Sequence, residues 1–235
     1  MQRAFGWALV CSSFLLIPSF ASARDIAVAA DVADVGPGFS GGVAAGDALV
    51  LAAGRRGPLV VHDIVGTMAA PIVIRSAAGE GSSTIIDPCL GGCAGTPVGL
   101  TLRDSSFVFI DGKEPTVAPA LRFESSADGV DAYLRISGSS SSIAVVGLEF
   151  DGTGSPSSGD GIQVREPDGT DTIDRISIFD LRMANMGGVG VDAGQADPDV
   201  DQATIRNIEI SFMIIQGAGG PCVRVRTLTE GMNSV

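Results

Sequence analysis

Short runs of alternating apolar and polar residues recur about every 30 residues from Asp47 onward. The first type is a four-residue apolar-x-apolar-x run, with copies beginning at Leu49, Ile72, Leu100, Leu134, Ile162, Val189 and Val223. A second, longer type lies between these copies and begins at Phe107, Ile143, Ile176 and Ile208. Period-two alternation predicts strands. Two strand types that interleave at one period predict a solenoid, because each coil needs its neighbours to cover its apolar face.

The sequence therefore predicts an all-β fold, a parallel β-helix. An antiparallel sandwich or jelly roll is the alternative, and such folds need hairpin turns between neighbouring strands. The chain contains no Asn-Gly pair, and its Asp-Gly pairs do not form two-residue links between strands of equal length. Helical periodicity is scarce. At most, Asp25–Val35 is expected to form a short helix that caps one end of the solenoid.

Two segments near the start of the repeats resemble a known group of proteins. Gly46–Gly54 (GDALVLAAG), followed by Pro71–Ser76 (PIVIRS), resembles the opening of right-handed parallel β-helix proteins of the pectate-lyase-like superfamily. The opening is similar to that of polysaccharide lyases of the chondroitinase-B and alginate-lyase type, and the resemblance covers roughly residues 40–226. It implies a right-handed β-helix but carries over no catalytic residue. The motifs of pectin hydrolases are absent, which disfavours glycoside hydrolysis of that type.

The organisation predicted around the repeats has three parts. Residues 1–23 have a basic start, an apolar run, a proline and the triplet Ala21-Ser22-Ala23, the pattern of a secretory signal peptide. Residues 24–46 are expected to form an N-terminal cap region, and residues 47–235 the β-helix. Asn233–Val235 follow an apparent coil without an apolar cap, so we expect the sequence to be truncated at its C-terminus. The leader predicts a secreted protein, periplasmic or extracellular, without membrane contact after cleavage.

Composition excludes several classes of protein. Charged residues make up 18% of the chain against 45% hydrophobic residues, which is unlike a disordered acidic chain. A net charge of −12 argues against a nucleic-acid binder, and one His with four Cys cannot build an ordinary zinc framework.

Export makes a Cys89–Cys93 disulfide possible and would leave Cys222 unpaired. The alternative is two inert loop thiols and one packed thiol.

Arginine is the cation that this acidic chain uses, and much of it follows the first type of run. In a strand whose apolar residues point inward, the alternate residues point outward. The pattern thus predicts one outer face that carries Arg75, Arg103, Arg135, Arg165, Arg224 and Arg226. Planar guanidinium groups bind carboxylate and sulfate through two hydrogen bonds, which suits an acidic polysaccharide lying along the solenoid. The alternative is that these arginines are solvated and paired with acids on adjacent coils.

Asp192 lies on this outer face between Arg165 and Arg224. A polyuronide lyase must neutralise the uronate carboxylate and remove the neighbouring proton, so we name Arg165, Asp192 and Arg224 as candidate catalytic residues. Arg75, Arg103, Arg135 and Arg226 are then substrate-binding candidates. An arginine acts as a base only if its pKa is strongly depressed. A structural ion pair between Asp192 and a neighbouring arginine is the alternative.

An acidic loop offers a calcium site. Asp197, Asp199 and Asp201 alternate with other residues and form a plausible partial shell for Ca²⁺, which takes six to eight oxygen ligands. A solvated loop is the alternative. Two functions thus remain open: a protein that binds an anionic polysaccharide or cleaves it as a lyase by β-elimination, and a non-catalytic β-helix of a surface or matrix. The sequence leaves open the substrate, the oligomeric state and whether the protein is an enzyme.

Overall fold

The chain folds into a right-handed parallel β-helix, which confirms the predicted fold class. The computed structural model describes residues 24–77, 83–93, 95, 97–113, 120–156, 158–165, 171–194, 204–217, 219–226 and 230–232. Neighbouring strands pair in parallel, each with a strand of the next coil. In the described ranges, no helix has both the length and the apolar character needed to cross a membrane.

The coils have three sides, which we call faces 1, 2 and 3. Face 1 consists of β1 (Asp25–Val28), β3 (Ala48–Leu51), β6 (Ile72–Ser76), β9 (Ser106–Asp111), β12 (Ser141–Val146), the first parts of β15 (Thr172–Ala184) and β17 (Thr204–Gln216), and β19 (Glu230–Met232). Face 2 consists of β4 (Gly54–Arg56), β7 (Thr84–Ile86), β10 (Leu121–Glu124), β13 (Glu149–Asp151) and the second parts of β15 and β17. Face 3 consists of β2 (Asp34–Val35), β5 (Leu59–His62), β8 (Val98–Arg103), β11 (Ala132–Ser137), β14 (Asp160–Val164), β16 (Val191–Ala193) and β18 (Val223–Val225).

Inward side chains stack on their equivalents in the next coil and form one continuous core. On face 1 the strand register aligns a buried row that consists of Leu49, Ile74, Ile110, Val145 and Ile178. On face 2, the rings of Phe123 and Phe150 stack with centroids 4.9 Å apart, and Tyr133 meets Phe150 edge-on. Because the core fixes the register of every coil, outward side chains on each face also form regular rows.

The helix considered for Asp25–Val35 is wrong. This segment forms β1 and β2, which pair with β3 and β5. Ile26 and Val28 are buried while Asp25 and Ala27 are exposed, so the burial period is two rather than that of a helix. The predicted cap region therefore supplies strands to the first coil, followed by a 3₁₀ turn at Phe39–Gly41.

The runs that begin at Leu49 and Ile72 also lie on a different face from the other copies of their type. They are β3 and β6 of face 1, whereas the later copies belong to face 3. The face 3 strands missing from the predicted series are β2 and β5, and His62 of β5 aligns with Arg103. The two kinds of strand share one alternating pattern, so spacing alone did not separate them. Arg75 is consequently placed away from the other predicted arginines.

The connections between faces 1 and 2 differ in length from coil to coil and shorten after β10. Residues 112–120 connect β9 to β10, and residues 147–148 connect β12 to β13. In the following coils β15 and β17 cross the same corner as unbroken 13-residue strands. The strands on both sides of the corner keep their register throughout.

A disulfide joins Cys89 and Cys93 in the turn after β7, as one of the two sequence interpretations predicted. The two Cα atoms are 4.6 Å apart, and Cys89 is buried against the core. Cys222 is an exposed free thiol next to β18. The bridge therefore closes a short turn near the start of the solenoid and leaves Cys222 as a free thiol.

Candidate functional site

The outer surface of face 3 carries most of the predicted arginines, in two adjacent rows. The strand register gives the first row, coil by coil, as Thr101, Arg135, Gln163, Asp192 and Arg224. The second row lies two residues further along the chain and includes Arg103, Arg165 and Arg226. Neighbouring strands of a sheet lie about 4.8 Å apart, so outward side chains of neighbouring coils are close enough to contact one another.

Asp131 and Gln163 hold Arg135, and Asp131 also contacts Arg165. Asp131 precedes β11 and accepts hydrogen bonds from Arg135 and from Nη2 of Arg165, the latter at 3.3 Å. Oε1 of Gln163 accepts hydrogen bonds from Nη2 and Nε of Arg135 at 2.8 and 3.1 Å. Nε2 of Gln163 in turn donates to Oδ2 of Asp160 at 3.0 Å. The two coils are thereby connected by polar side chains on their outer surface.

Asp192 is buried beneath two arginines of the next coil. Arg224 donates to it through Nε at 3.1 Å and Nη2 at 2.7 Å. Arg226 donates through Nε at 3.1 Å and Nη2 at 2.9 Å. Nη2 of Arg224 also lies 3.8 Å from Oδ2 of Asp160. Asp192 thus forms a structural ion pair, which is the alternative to its predicted catalytic role.

These contacts favour the charged forms of Asp192 and Arg224. Burial by itself raises the pKa of Asp192, but the hydrogen bonds from Arg224 and Arg226 outweigh it and hold that pKa below its ordinary value. The hydrogen bond to Asp192 raises the pKa of Arg224. A base in β-elimination must have an accessible lone pair. Both oxygens of Asp192 already accept hydrogen bonds, and Arg224 holds its proton more firmly than usual, so this arrangement favours fixed charge over proton transfer.

The remaining predicted arginines are also paired. Nε of Arg103 lies 3.3 Å from the carboxylate of Asp104. Arg75 donates to Asp25 at 2.7 Å on face 1, so the prediction that it shares a face with the others is wrong. The arginines are therefore accompanied by acids of their own and adjacent coils, which is the alternative given for the ladder.

We call the group of Arg135, Arg165, Arg224, Arg226, Asp131, Asp160, Asp192 and Gln163 the face 3 cluster. Its four arginines and three aspartates leave an excess of one positive charge on a chain whose net charge is −12. The side chains of Arg224 and Arg226 are 40% and 31% exposed. Guanidinium edges that are turned to solvent thus remain able to contact an anion while their other edges hold carboxylates.

Sequence reasoning missed Asp131, Asp160 and Gln163. Gln163 was detectable, because it occupies the outward position of its run between those of Arg135 and Asp192. The predicted calcium ligands Asp197, Asp199 and Asp201 lie outside the described residues. Within the part of the chain that the structure describes, no group of three or more His, Cys, Asp or Glu side chains is arranged to hold a metal ion.

Comparisons with known proteins add one similar structure. No family model matches the chain, and no curated protein matches it. Among solved structures, the alginate lyase from Paenibacillus sp. str. FPU-7 is similar, with 16% sequence identity and a TM-score of 0.45. The match covers 83% of this chain and 65% of the lyase, so this chain spans less than two thirds of that protein's length. The description of the fold therefore rests on the parallel strand pairing itself.

Proposed function

We propose that this protein binds an acidic polysaccharide along face 3. The observation that carries the proposal is the positive excess of the face 3 cluster on a strongly acidic chain. Half-exposed guanidinium groups bind carboxylate or sulfate through paired, charge-assisted hydrogen bonds. The rows of the cluster follow the axis of the solenoid, so one polymer lying along them would meet Arg135, Arg165 and then Arg224 with Arg226, with the coil of Asp192 between the last two steps.

Binding is better supported than cleavage. The pKa directions of Asp192 and Arg224 favour fixed charges, and the predicted catalytic roles of Arg165, Asp192 and Arg224 stay predictions. The reason to test for a lyase is the resemblance of the opening segments to polysaccharide lyases. A non-catalytic surface or matrix protein is the function that remains if no acidic polymer binds.

The experiment compares two double variants that each remove two arginines. Arg165→Ala/Arg224→Ala removes two members of the face 3 cluster, and Arg75→Ala/Arg206→Ala removes two paired, half-exposed arginines of face 1. We measure binding of the purified proteins to polygalacturonate, alginate and chondroitin sulfate, with dextran as the neutral polymer. The face 3 variant should bind at least about tenfold more weakly, because hydrogen bonds to charged groups contribute about 1.5–3 kcal/mol.

The matched control separates a site from general electrostatics. The face 1 variant should bind like the wild type, and equal weakening in both variants would contradict a site on face 3. Arg165→Lys/Arg224→Lys keeps the charge and loses the planar fork, so its binding should be intermediate. Thermal melts show whether each variant is folded. The same mixtures are followed by ultraviolet absorbance, since a rise from unsaturated sugar ends would establish a lyase.

Calcium and export remain parts of the proposal. Repeating the binding and absorbance measurements with Ca²⁺ and then with chelator tests the predicted ligands Asp197, Asp199 and Asp201. If the loop binds a cation that acts with the polymer, Asp199→Asn should reproduce the effect of the chelator.

N-terminal sequencing of protein recovered outside the cytoplasm tests the predicted cleavage after Ala23.

A further inference from the structure

A groove of about 360 Å³ lies on the outer surface of face 2, away from the face 3 cluster. Strands β13, β15 and β17 run side by side there and contribute Glu149, Arg182, Ala184, Ile214 and Gln216 to its lining. The groove has the size of a small-molecule site. It shares no residue with the face 3 cluster.

Arg182 is the arginine of this groove, and its charge is not neutralised. It is exposed, and of the residues that the structure describes none places a carboxylate within 4.0 Å of it or a side-chain hydrogen bond on it. The register aligns Arg182 with Glu149, but Oε1 of Glu149 is held by Arg122 at 2.9 Å. Among the solvent-exposed arginines described here, Arg182 therefore differs in lining a groove without a paired acid.

The next outward row explains why Arg182 has no partner. In successive coils this row reads Glu124, Asp151, Ala184 and Gln216. The carboxylates of the earlier coils are thus replaced by a methyl group directly after Asp151. Ala184 stands two residues from Arg182 on the same face, where an acid would be able to pair with it. Because Ala184 is small and neutral, it leaves the charge of Arg182 without a counter-ion and leaves room for the groove beside it.

The groove lining matches one class of ligand. The planar fork of Arg182 suits a carboxylate, and the unpaired oxygen of Glu149 with the amide of Gln216 suits hydroxyl groups. Ile214 is 58% exposed and offers an apolar contact for the carbon face of a ring. We propose that this groove binds a single hexuronate residue, with its carboxylate on Arg182. The site is separate from face 3 and does not depend on the proposed function.

The experiment titrates the purified protein with galacturonate and glucuronate, and with galactose as the uncharged counterpart. Binding is followed by calorimetry and by the NMR signal of the Arg182 side-chain N–H, assigned as the signal that Arg182→Lys removes. We expect saturable binding of the uronates and none of galactose. Arg182→Ala should weaken binding at least about tenfold, whereas Arg206→Ala, which also removes one half-exposed arginine, should leave it unchanged.

A second variant leaves Arg182 in place. Ala184→Asp supplies the carboxylate that the earlier coils have, so Arg182 should pair with it and uronate binding should be lost without any loss of fold. No saturable uronate binding by the wild type, or equal binding by Arg182→Ala and the wild type, would overturn the proposal. Equally strong competition by sulfate would overturn the uronate assignment. Arg165→Ala/Arg224→Ala should still bind the monosaccharide, so failure here is distinguishable from failure of polymer binding on face 3.

Discussion

Asp192→Ala should destabilise the protein more than the loss of an ordinary surface ion pair. The Asp192 carboxylate is buried and accepts four hydrogen bonds, two from Arg224 and two from Arg226. Removing it leaves two guanidinium groups side by side without their anion. Because both arginines belong to the next coil, the variant also removes a connection between β16 and β18.

The expected magnitude follows from burial. A hydrogen bond to a charged group contributes about 1.5–3 kcal/mol, but the two arginines are 40% and 31% exposed, and water replaces part of what they lose. We therefore assign about 1–2 kcal/mol to each arginine and expect a loss of about 2–4 kcal/mol in the free energy of unfolding. This range extends below the cost of breaking an entirely buried ion pair, about 3–5 kcal/mol, because both arginines keep some contact with water.

Urea denaturation followed by circular dichroism measures this loss. Asp25→Ala is the control, because the pair of Asp25 with Arg75 is exposed on both sides and should contribute less than about 1 kcal/mol. Asp192→Asn keeps the shape but places an amide before two cations, so it should recover little of the stability. Our reasoning is refuted if Asp192→Ala costs no more than Asp25→Ala, or if Asp192→Asn is as stable as the wild type.

Three further predictions concern the core, the coil stacking and pH. Phe150→Ala removes a fully buried ring and should lower the free energy of unfolding by about 3–5 kcal/mol in the same urea assay; a loss below 1 kcal/mol would show a loosely packed core. Gly190→Ala should cost about 1–3 kcal/mol, because its Cβ would collide with the backbone oxygen of Cys222 in the next coil, and an unchanged urea midpoint would disprove this contact. The hydrogen bond to Asp63 raises the pKa of His62, so the stabilisation is complete below the unfolded pKa of about 6.5 and is lost as pH rises through the folded pKa. The stability difference between wild type and His62→Ala should therefore be larger at about pH 5 than at about pH 9, and a difference independent of pH would refute the linkage.

The period and alternation of the runs were sufficient to predict the solenoid, because alternation follows from burial of every second residue and the period is the length of one coil. They did not predict face 2. Strands β4, β7 and β13 have three residues each, too few for alternation to be recognised in the sequence. The sequence pattern also did not separate face 1 from face 3, so Arg75 was assigned to the wrong face. Assigning a run to a face requires knowledge of where the chain turns, and corners vary in length from coil to coil.

The candidate site was predicted in outline and missed in its chemistry. Outward arginines followed from alternation on face 3. Their pairing with acids was one of two alternatives, and Asp131 was not identified as a partner, because it precedes its strand and its contact with Arg165 depends on the register between two coils. The groove of Arg182 was missed for a similar reason. Only the stacking of Ala184 beside Asp151 shows that an acid is absent there.

At the corner between faces 1 and 2, the length of the connection does not affect how the coils stack. The link between Val146 and Glu149 is short, the equivalent link one coil earlier is long, and the strands beside both remain in register. The entropy of closing a loop grows slowly with its length. An inserted peptide at this corner would therefore project sideways while each row of the outer surfaces keeps its spacing. Such an edge allows the molecule to acquire new segments in evolution, or to display grafted ones by design, without rebuilding its interior.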